Sequence, residues 1–322
     1  MVMRKLKLNW MIVTLLIFII LPVFMPNNYY VYVFDRGIVN AIAAMGLVIL
    51  FGIAGQISLG HVAFFAISAY TSAILAIRFG WSPLLTIPIG TLLSCIWGAL
   101  LSIPSFKLSG PFLSISTVAF GEVVRLLVIN WEPLTNGPYG LYKIPPVVIA
   151  GVAIVKDVHW YYIFLGLVFI LAIAGLRLKH SYLGRALAAI REDEVAAEIM
   201  GVDVRRMKTL AFVIAAFYAG VSGGLYAHFA GYLSPEIITG EQSFNLFSMA
   251  VVGGQESILG SIWAGVALTV APEMMRFLQE YYIMIFSLIV LLVVLLPWES
   301  LMDKFRARFG TRKEVKNLDC RS

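Results

Sequence analysis

An all-α polytopic membrane protein is the fold class this sequence predicts, on three observations. Mean hydropathy is +0.89 across 322 residues. Apolar runs of spanning length recur along the whole chain, and a span needs about 20 mostly apolar residues to cross roughly 30 Å of hydrocarbon. The cations are concentrated in alternate connections between those runs. The spans are helical, because lipid offers the backbone no hydrogen-bond partners and the runs lack the alternation of barrel strands.

Ten candidate spans follow in order: 10–25, 37–54, 58–77, 84–104, 111–129, 159–177, 209–230, 242–253, 258–274 and 281–297. MVMRKLKLNW and the apolar run after it resemble a signal peptide, but bulky residues follow instead of a small-residue cleavage site. An uncleaved first span is the reading. The segment 242–253 is too short for a straight crossing and is read as a broken or re-entrant element, tolerated where protein surrounds it.

With the N-terminus in the cytoplasm, 18 of the 24 Lys and Arg residues fall in inside segments. Arg36, Arg78, Arg125, Lys143, Lys156 and Arg276 fall outside or at the outer rim. This bias places both termini inside, with an even number of spans. The chain divides into a transmembrane domain, 1–298, and a basic cytoplasmic tail, 299–322. Tyr29, Tyr30, Trp131, Trp160 and Tyr281 suit an outer interfacial belt. The net charge of +6 reflects this topology and implies no nucleic-acid partner. Cys95 in a span and Cys320 in the tail predict no disulfide.

One stretch departs from the apolar background. GRALAAIREDEVAAEIMGVDVRRMK, 184–208, carries 10 charged residues in 25. At 100° per residue, Ala186, Ala189, Ile190, Ala196, Ala197 and Met200 share one face, with Asp193 interrupting it and Arg191, Glu194 and Glu198 opposite. A narrow alanine stripe fits a tight protein groove better than a lipid surface. Gly201 stops the helix. Either the helix is a solvated connection, or it docks a cytoplasmic protein.

Polar residues within the spans supply the other candidates. In GQISLGH, Gly55 and Gly60 bracket Gln56 and Ser58, and His61 follows. Such groups either hold helices together or line a substrate path. Thr117 lies early in the fifth span. Glu122 and Arg125, three apart near its outer end, share a helix face, either neutralising each other or binding a zwitterion. Gln255 and Ser257 repeat the Gly-Gln-x-Ser pattern of Gln56 and Ser58, which suggests an internal repeat. Gly220 and Gly224 form a Gly-x-x-x-Gly pair for close helix packing, within the chain or with a partner. His159 and His228 lack the neighbours of a metal site.

VAAEIMG (195–201) resembles the cytoplasmic docking loop of ATP-binding-cassette importer permeases, E-A-A, three residues, then G. Ala196, Ala197 and Gly201 are in register, but Val195 occupies the acidic position and Glu194 lies one earlier. The stretches 54–75, 116–145 and 251–265 are similar, in order and spacing, to the branched-chain amino acid permeases of that class, closer to the longer, LivM type. The similarity covers roughly 35–298. Asn136-Gly137-Pro138 stands where the family often has Gly-Gly-Pro, and Ser261 follows a glycine where it often has Pro.

The resemblance implies a permease subunit in the bacterial inner membrane, importing branched-chain amino acids; related systems carry other amino acids or urea. Its partners would be a second, different permease, two cytoplasmic ATPase chains and an external substrate-binding protein. Coupling to the ATPases would fall to Arg185, Arg191, Glu194, Ala196, Ala197, Glu198 and Gly201. The path would involve Gln56, Ser58, His61, Thr117, Glu122, Arg125, Gln255 and Ser257. No Gly-Lys dipeptide occurs, so the chain lacks a phosphate-cradling G-x-x-x-x-G-K-[ST] loop; it binds no cofactor itself, and ATP is used by the partner subunits. A self-sufficient secondary transporter would want mid-membrane carboxylates for ion coupling. An intramembrane enzyme finds neither paired carboxylates nor a zinc motif here.

Overall fold

The computed structural model describes residues 27–274 except Ser109 and Ala150, together with Pro22, Met284, Leu288 and Leu291. The expected spans 10–25 and 281–297 and the basic tail lie outside the described residues. The elements below belong to one compact unit, residues 1–277.

Six helices among the described residues are long and apolar enough to cross a membrane. The first is α1 (Asn28–Leu47), continued by a π-helical segment (Val48–Ile53). It is followed by α2 (His61–Phe79), α3 (Pro83–Ser105), α4 (Pro111–Asn130) and α5 (Asp157–Lys179). Two short helices, α6 (Tyr182–Glu192) and α7 (Glu194–Ile199), lead into the sixth, α8 (Val204–Ala230). The expected span 242–253 is the 13-residue α9 (Gly240–Val252), and 258–274 is the 17-residue α10 (Ile258–Met274). The span expected from residue 37 begins nine residues earlier, so Tyr29, Tyr30 and Tyr32 belong to the first turns of α1.

α8 organises the bundle. Its 27 residues make it about 40 Å long, with α6 and α7 at its start and the short β4 strand (Tyr232–Leu233) beyond its end. These ends are termed basal and apical. Glycines set how closely its neighbours approach. A Cβ on Gly223 would lie 2.0 Å from the Phe65 carbonyl of α2, and one on Gly220 would lie 3.0 Å from Ser94 Cβ of α3. The Gly220–Gly224 pair thus serves packing inside the chain. α10 packs on α1 in the same way, with a Cβ on Gly265 meeting the Cα of Ala41 at 2.6 Å.

Hydroxyls join helices where no water competes. Ser94 Oγ donates to the carbonyls of Phe64 (3.0 Å) and Ala216 (3.1 Å), linking α3 to α2 and α8. Tyr218 donates to the Leu171 carbonyl of α5, and Ser222 to the Val39 carbonyl of α1. His228 is buried between Ser72 and the Pro145 carbonyl, at 2.8 and 2.7 Å, an apical cross-link between α2, α8 and the loop after α4.

That loop is structured. A helical turn (Glu132–Thr135) leads to Asn136 at φ 63°, whose side-chain amide donates to the Gly140 carbonyl. Left-handed backbone explains why Asn can replace a glycine here, since Asn tolerates that region better than most residues. The β1 strand (Leu141–Tyr142) then pairs antiparallel with β4, tying the loop to the end of α8. A small hairpin of β2 (Val148–Ile149) and β3 (Val152–Ala153) precedes α5.

Candidate functional site

The charged stretch forms two helices, not the single helix over 184–201 that its pattern predicts. Asp193 has extended backbone, φ −154° and ψ 114°, and its carboxylate accepts from the backbone N–H of Val195 and Ala196, both at 2.9 Å. It is the N-cap of α7, a role Asp commonly plays. The break changes the helical phase, so the predicted apolar face is only partly correct. Ala186, Ile190 and Ala197 are buried, whereas Ala189, Ala196 and Met200 are exposed. Beyond α7 the chain turns at Gly201, φ 86°, as the stop signal predicts.

The charges in this region divide by role. Arg191 donates to the Gly52 carbonyl and to Glu256 Oε1 at 2.8 Å, and Glu256 Oε2 also accepts from Lys179 at 2.9 Å. Glu194 pairs at 2.5 Å with Lys208, a nearly fully buried ammonium that also donates to the Ser105 carbonyl of α3. Both residues therefore hold the helix pair onto the bundle. Arg185 turns back onto the His180 carbonyl. Glu198 is exposed, beside an apolar surface of Val195, Ile199 and Met200, which are 66%, 80% and 83% exposed. Glu256 lies in a loop, and its carboxyl is held below the usual carboxylate value. The Lys179 hydrogen bond is the main cause, partly opposed by burial and supplemented by the charges of Lys179 and Arg191.

The two Gly-Gln-x-Ser segments both turn on a left-handed glycine, Gly55 at φ 70° and Gly254 at φ 95°, and each follows a helical segment and precedes another helix. They come together at the basal end, where a Cβ on Gly52 would lie 1.5 Å from the Gln255 carbonyl. From there residues 54–60 run as irregular backbone up to α2. That helix starts deep in the bundle, with His61 beside Gly46 of α1 and Tyr218 of α8.

Gln56, Ser58, His61 and Thr117 cluster there. Thr117 Oγ1 accepts from the Leu59 N–H at 3.0 Å, and Gly60 packs on the Thr117 carbonyl. Thr117 thus holds the irregular segment. Ser58 Oγ and Gln56 Oε1 are buried without a hydrogen-bond partner, and the ring of His61 is fully buried near the Ala43 carbonyl with no hydrogen bond of normal geometry. Gln255 and Ser257 lie apart from this cluster, exposed at the basal end.

Glu122 and Arg125 are elsewhere again. They close on each other through hydrogen bonds of 2.5–3.0 Å on an exposed face of α4. α4 runs from 111 to 130, so the pair sits in its second half, toward the end that leads into the 131–145 loop.

A further polar site escapes the sequence patterns. A cavity of about 240 Å³ lies between α1, α2, α8, α9 and the stretch 234–237, whose Pro235–Ile237 is a 3-10 turn. Arg36, Asn40, Glu236 and Gln242 supply its polar lining. Arg36 read as an outer-rim cation, and nothing in the sequence joined it to a carboxylate 200 positions later. Among the described residues no group of three or more His, Cys, Asp or Glu side chains could hold a metal ion.

Residues 29–295 match the family model described as branched-chain amino acid transport system / permease component. The chain is 33% identical over 315 residues to the high-affinity branched-chain amino acid transport system permease protein LivM of Escherichia coli K12, covering 90% of this chain and 74% of that one. The probable LivM of Methanocaldococcus jannaschii is 26% identical, over 76% of this chain and 72% of its own length. The permease protein LivH of Salmonella typhimurium is 32% identical over 153 residues, 46% of this chain and 47% of its own. No solved structure matches significantly. A largely helical membrane bundle with a family match over residues 29–295 leads to one conclusion: this chain belongs to the branched-chain amino acid transport permease family.

Proposed function

We propose that the chain is the membrane-spanning permease subunit of an ATP-driven importer for branched-chain amino acids in the bacterial inner membrane. The family match supports the transport role and the substrate class. The observation that carries the coupling is the α6–α7 pair, anchored inward by Arg191 and Glu194 and presenting Val195, Ile199 and Met200 outward. An apolar patch rimmed by charge, on a segment held by ion pairs, is a docking surface. Its partners in this reading are two ATPase chains, and the basal end faces the cytoplasm, as the Lys and Arg bias favours.

A second, different permease covers the exposed face of α4. An ion pair facing lipid within a bilayer is costly, whereas one against protein or a water-filled path is tolerated. Substrate enters from an external binding protein at the apical side. It passes the buried polar cluster of Gln56, Ser58, His61 and Thr117 when partner contacts switch the bundle between outward and inward access.

The test is co-expression with the ATPase and second-permease chains. Val195→Glu with Ile199→Glu leaves the chain in the membrane but abolishes ATPase co-purification and ATP-driven uptake of leucine and valine. Normal co-purification and uptake by that variant would refute the docking assignment. Uptake of urea in place of leucine by the wild type would refute the substrate class.

A further inference from the structure

We propose that the cavity between Arg36 and Glu236 binds one zwitterionic α-amino acid with an aliphatic side chain, its carboxylate toward Arg36 and its ammonium toward Glu236. The proposal rests on the reading of this chain as an amino acid permease and assigns the site at which the solute is held.

Charge is the first argument. Arg36 and Glu236 line the same cavity, yet their side chains form no ion pair with each other and no hydrogen bond with any other described residue. Both residues are exposed, so each charge is open to a solute, whereas Glu122 and Arg125 close on each other on α4. Two that line one cavity unclosed match a ligand carrying both signs, each end meeting a charge-assisted hydrogen bond.

The walls supply the second argument. Val62 and Phe65 of α2 are buried, and with Ile237 and Leu246 they give the cavity an apolar side. A cavity of about 240 Å³ lies below the roughly 300–1,000 Å³ typical of drug-sized ligands and suits a smaller solute. Apolar walls with a few converging polar groups are the usual make-up of a small-molecule site.

Backbone architecture is the third. Two elements border the cavity: residues 231–239, the connection between α8 and α9, and the opening turns of α2, which follow the irregular 54–60. Ser234, Glu236 and Ile237 come from the first, Gln242 from the opening turn of α9, and Val62 from the opening turn of α2. Irregular backbone at membrane depth is tolerated where it lines a cavity, and interrupted helices of this kind build solute sites in transporters. Asn40, hydrogen-bonded at 3.1 Å to Thr269 of α10, fixes the α1 wall.

The experiment uses the assembled importer in nanodiscs and measures direct binding of leucine, leucinol, which lacks the carboxylate, and 4-methylpentanoate, which lacks the ammonium. Wild type binds leucine more tightly than either analogue. Arg36→Gln weakens leucine about tenfold to a hundredfold and leaves leucinol unchanged. Glu236→Gln weakens leucine similarly and leaves 4-methylpentanoate unchanged. Leu246→Trp, which fills the apolar side without touching a charge, excludes leucine and retains alanine. Co-purification of the ATPase chains reports that each variant is folded and assembled. Leucine binding unaltered in both charge variants, or loss of leucine and both analogues alike in a folded variant, overturns the site. A wild-type complex that binds its ATPases but no amino acid overturns the substrate reading instead, which separates the two failures.

Discussion

Arg191 Nη1 lies 2.8 Å from Glu256 Oε1, joining the end of α6 to the turn between α9 and α10, and the same guanidinium holds the Gly52 carbonyl. One side chain on α6 therefore holds the π-helical segment that leads into the first Gly-Gln-x-Ser turn and the second turn itself at once. Glu256→Gln and Arg191→Met should each leave ATPase co-purification intact while lowering leucine uptake at least about tenfold, because the contact surface survives and its link to the bundle does not. Uptake and ATPase binding measured on the same preparation check this, and equal loss of both would show that the pair only stabilises the fold.

The same carboxylate gives a pH dependence. Glu256 is held below the usual carboxylate value by Lys179, so its contribution to stability is present above that usual value. The contribution is lost as pH falls through the lowered value. Thermal unfolding of the purified chain followed from pH 7 to pH 3 should show a decline in this acid range that Glu256→Gln reduces.

Lys208 and Glu194 predict an asymmetry. Glu194→Ala strands a buried ammonium with only the Ser105 carbonyl and should cost about 2 kcal/mol, a figure lowered because Glu194 itself is partly exposed. Lys208→Met leaves the carboxylate in solvent and should cost less. The double variant should be more stable than Glu194→Ala alone, which melting temperatures of the three test directly.

Glycine substitutions separate close approach from mere exposure. Gly60→Ala and Gly223→Ala place a methyl about 2 Å from the backbone carbonyls of Thr117 and Phe65, and neither contact can give way. Both should prevent accumulation of folded protein. Gly166→Ala, in α5 with nothing within 4 Å, should be neutral or slightly stabilising. Fluorescence-detected size exclusion of tagged chains provides the comparison.

These relationships show what the sequence can and cannot reveal. Span positions were legible because hydrophobic length is a local property, and six of the eight expected spans that fall among the described residues appear as helices of crossing length. The packing role of Gly220 and Gly224 was legible for the same reason. Asp193 was visible only as a blemish in an apolar stripe, because a 100° projection assumes the helix continues through it. Its identity as a good N-cap was the available signal. The shared helix face of Glu122 and Arg125 was readable from spacing alone. The shared cavity of Arg36 and Glu236 was not, since it depends on how α1 and the stretch after α8 fold together.

The single extended residue at 193 has a mechanical consequence. A stiff rod would transmit a push along its axis, but a rod with a joint cannot. Load applied at 194–200 instead leaves sideways through the Lys208 ammonium, which bears on the α3 backbone at Ser105, while load applied at 182–192 leaves through the Arg191 guanidinium. The two halves of the segment thus bear on separate parts of the bundle, so a tilt and a translation imposed on it would be passed to different helices.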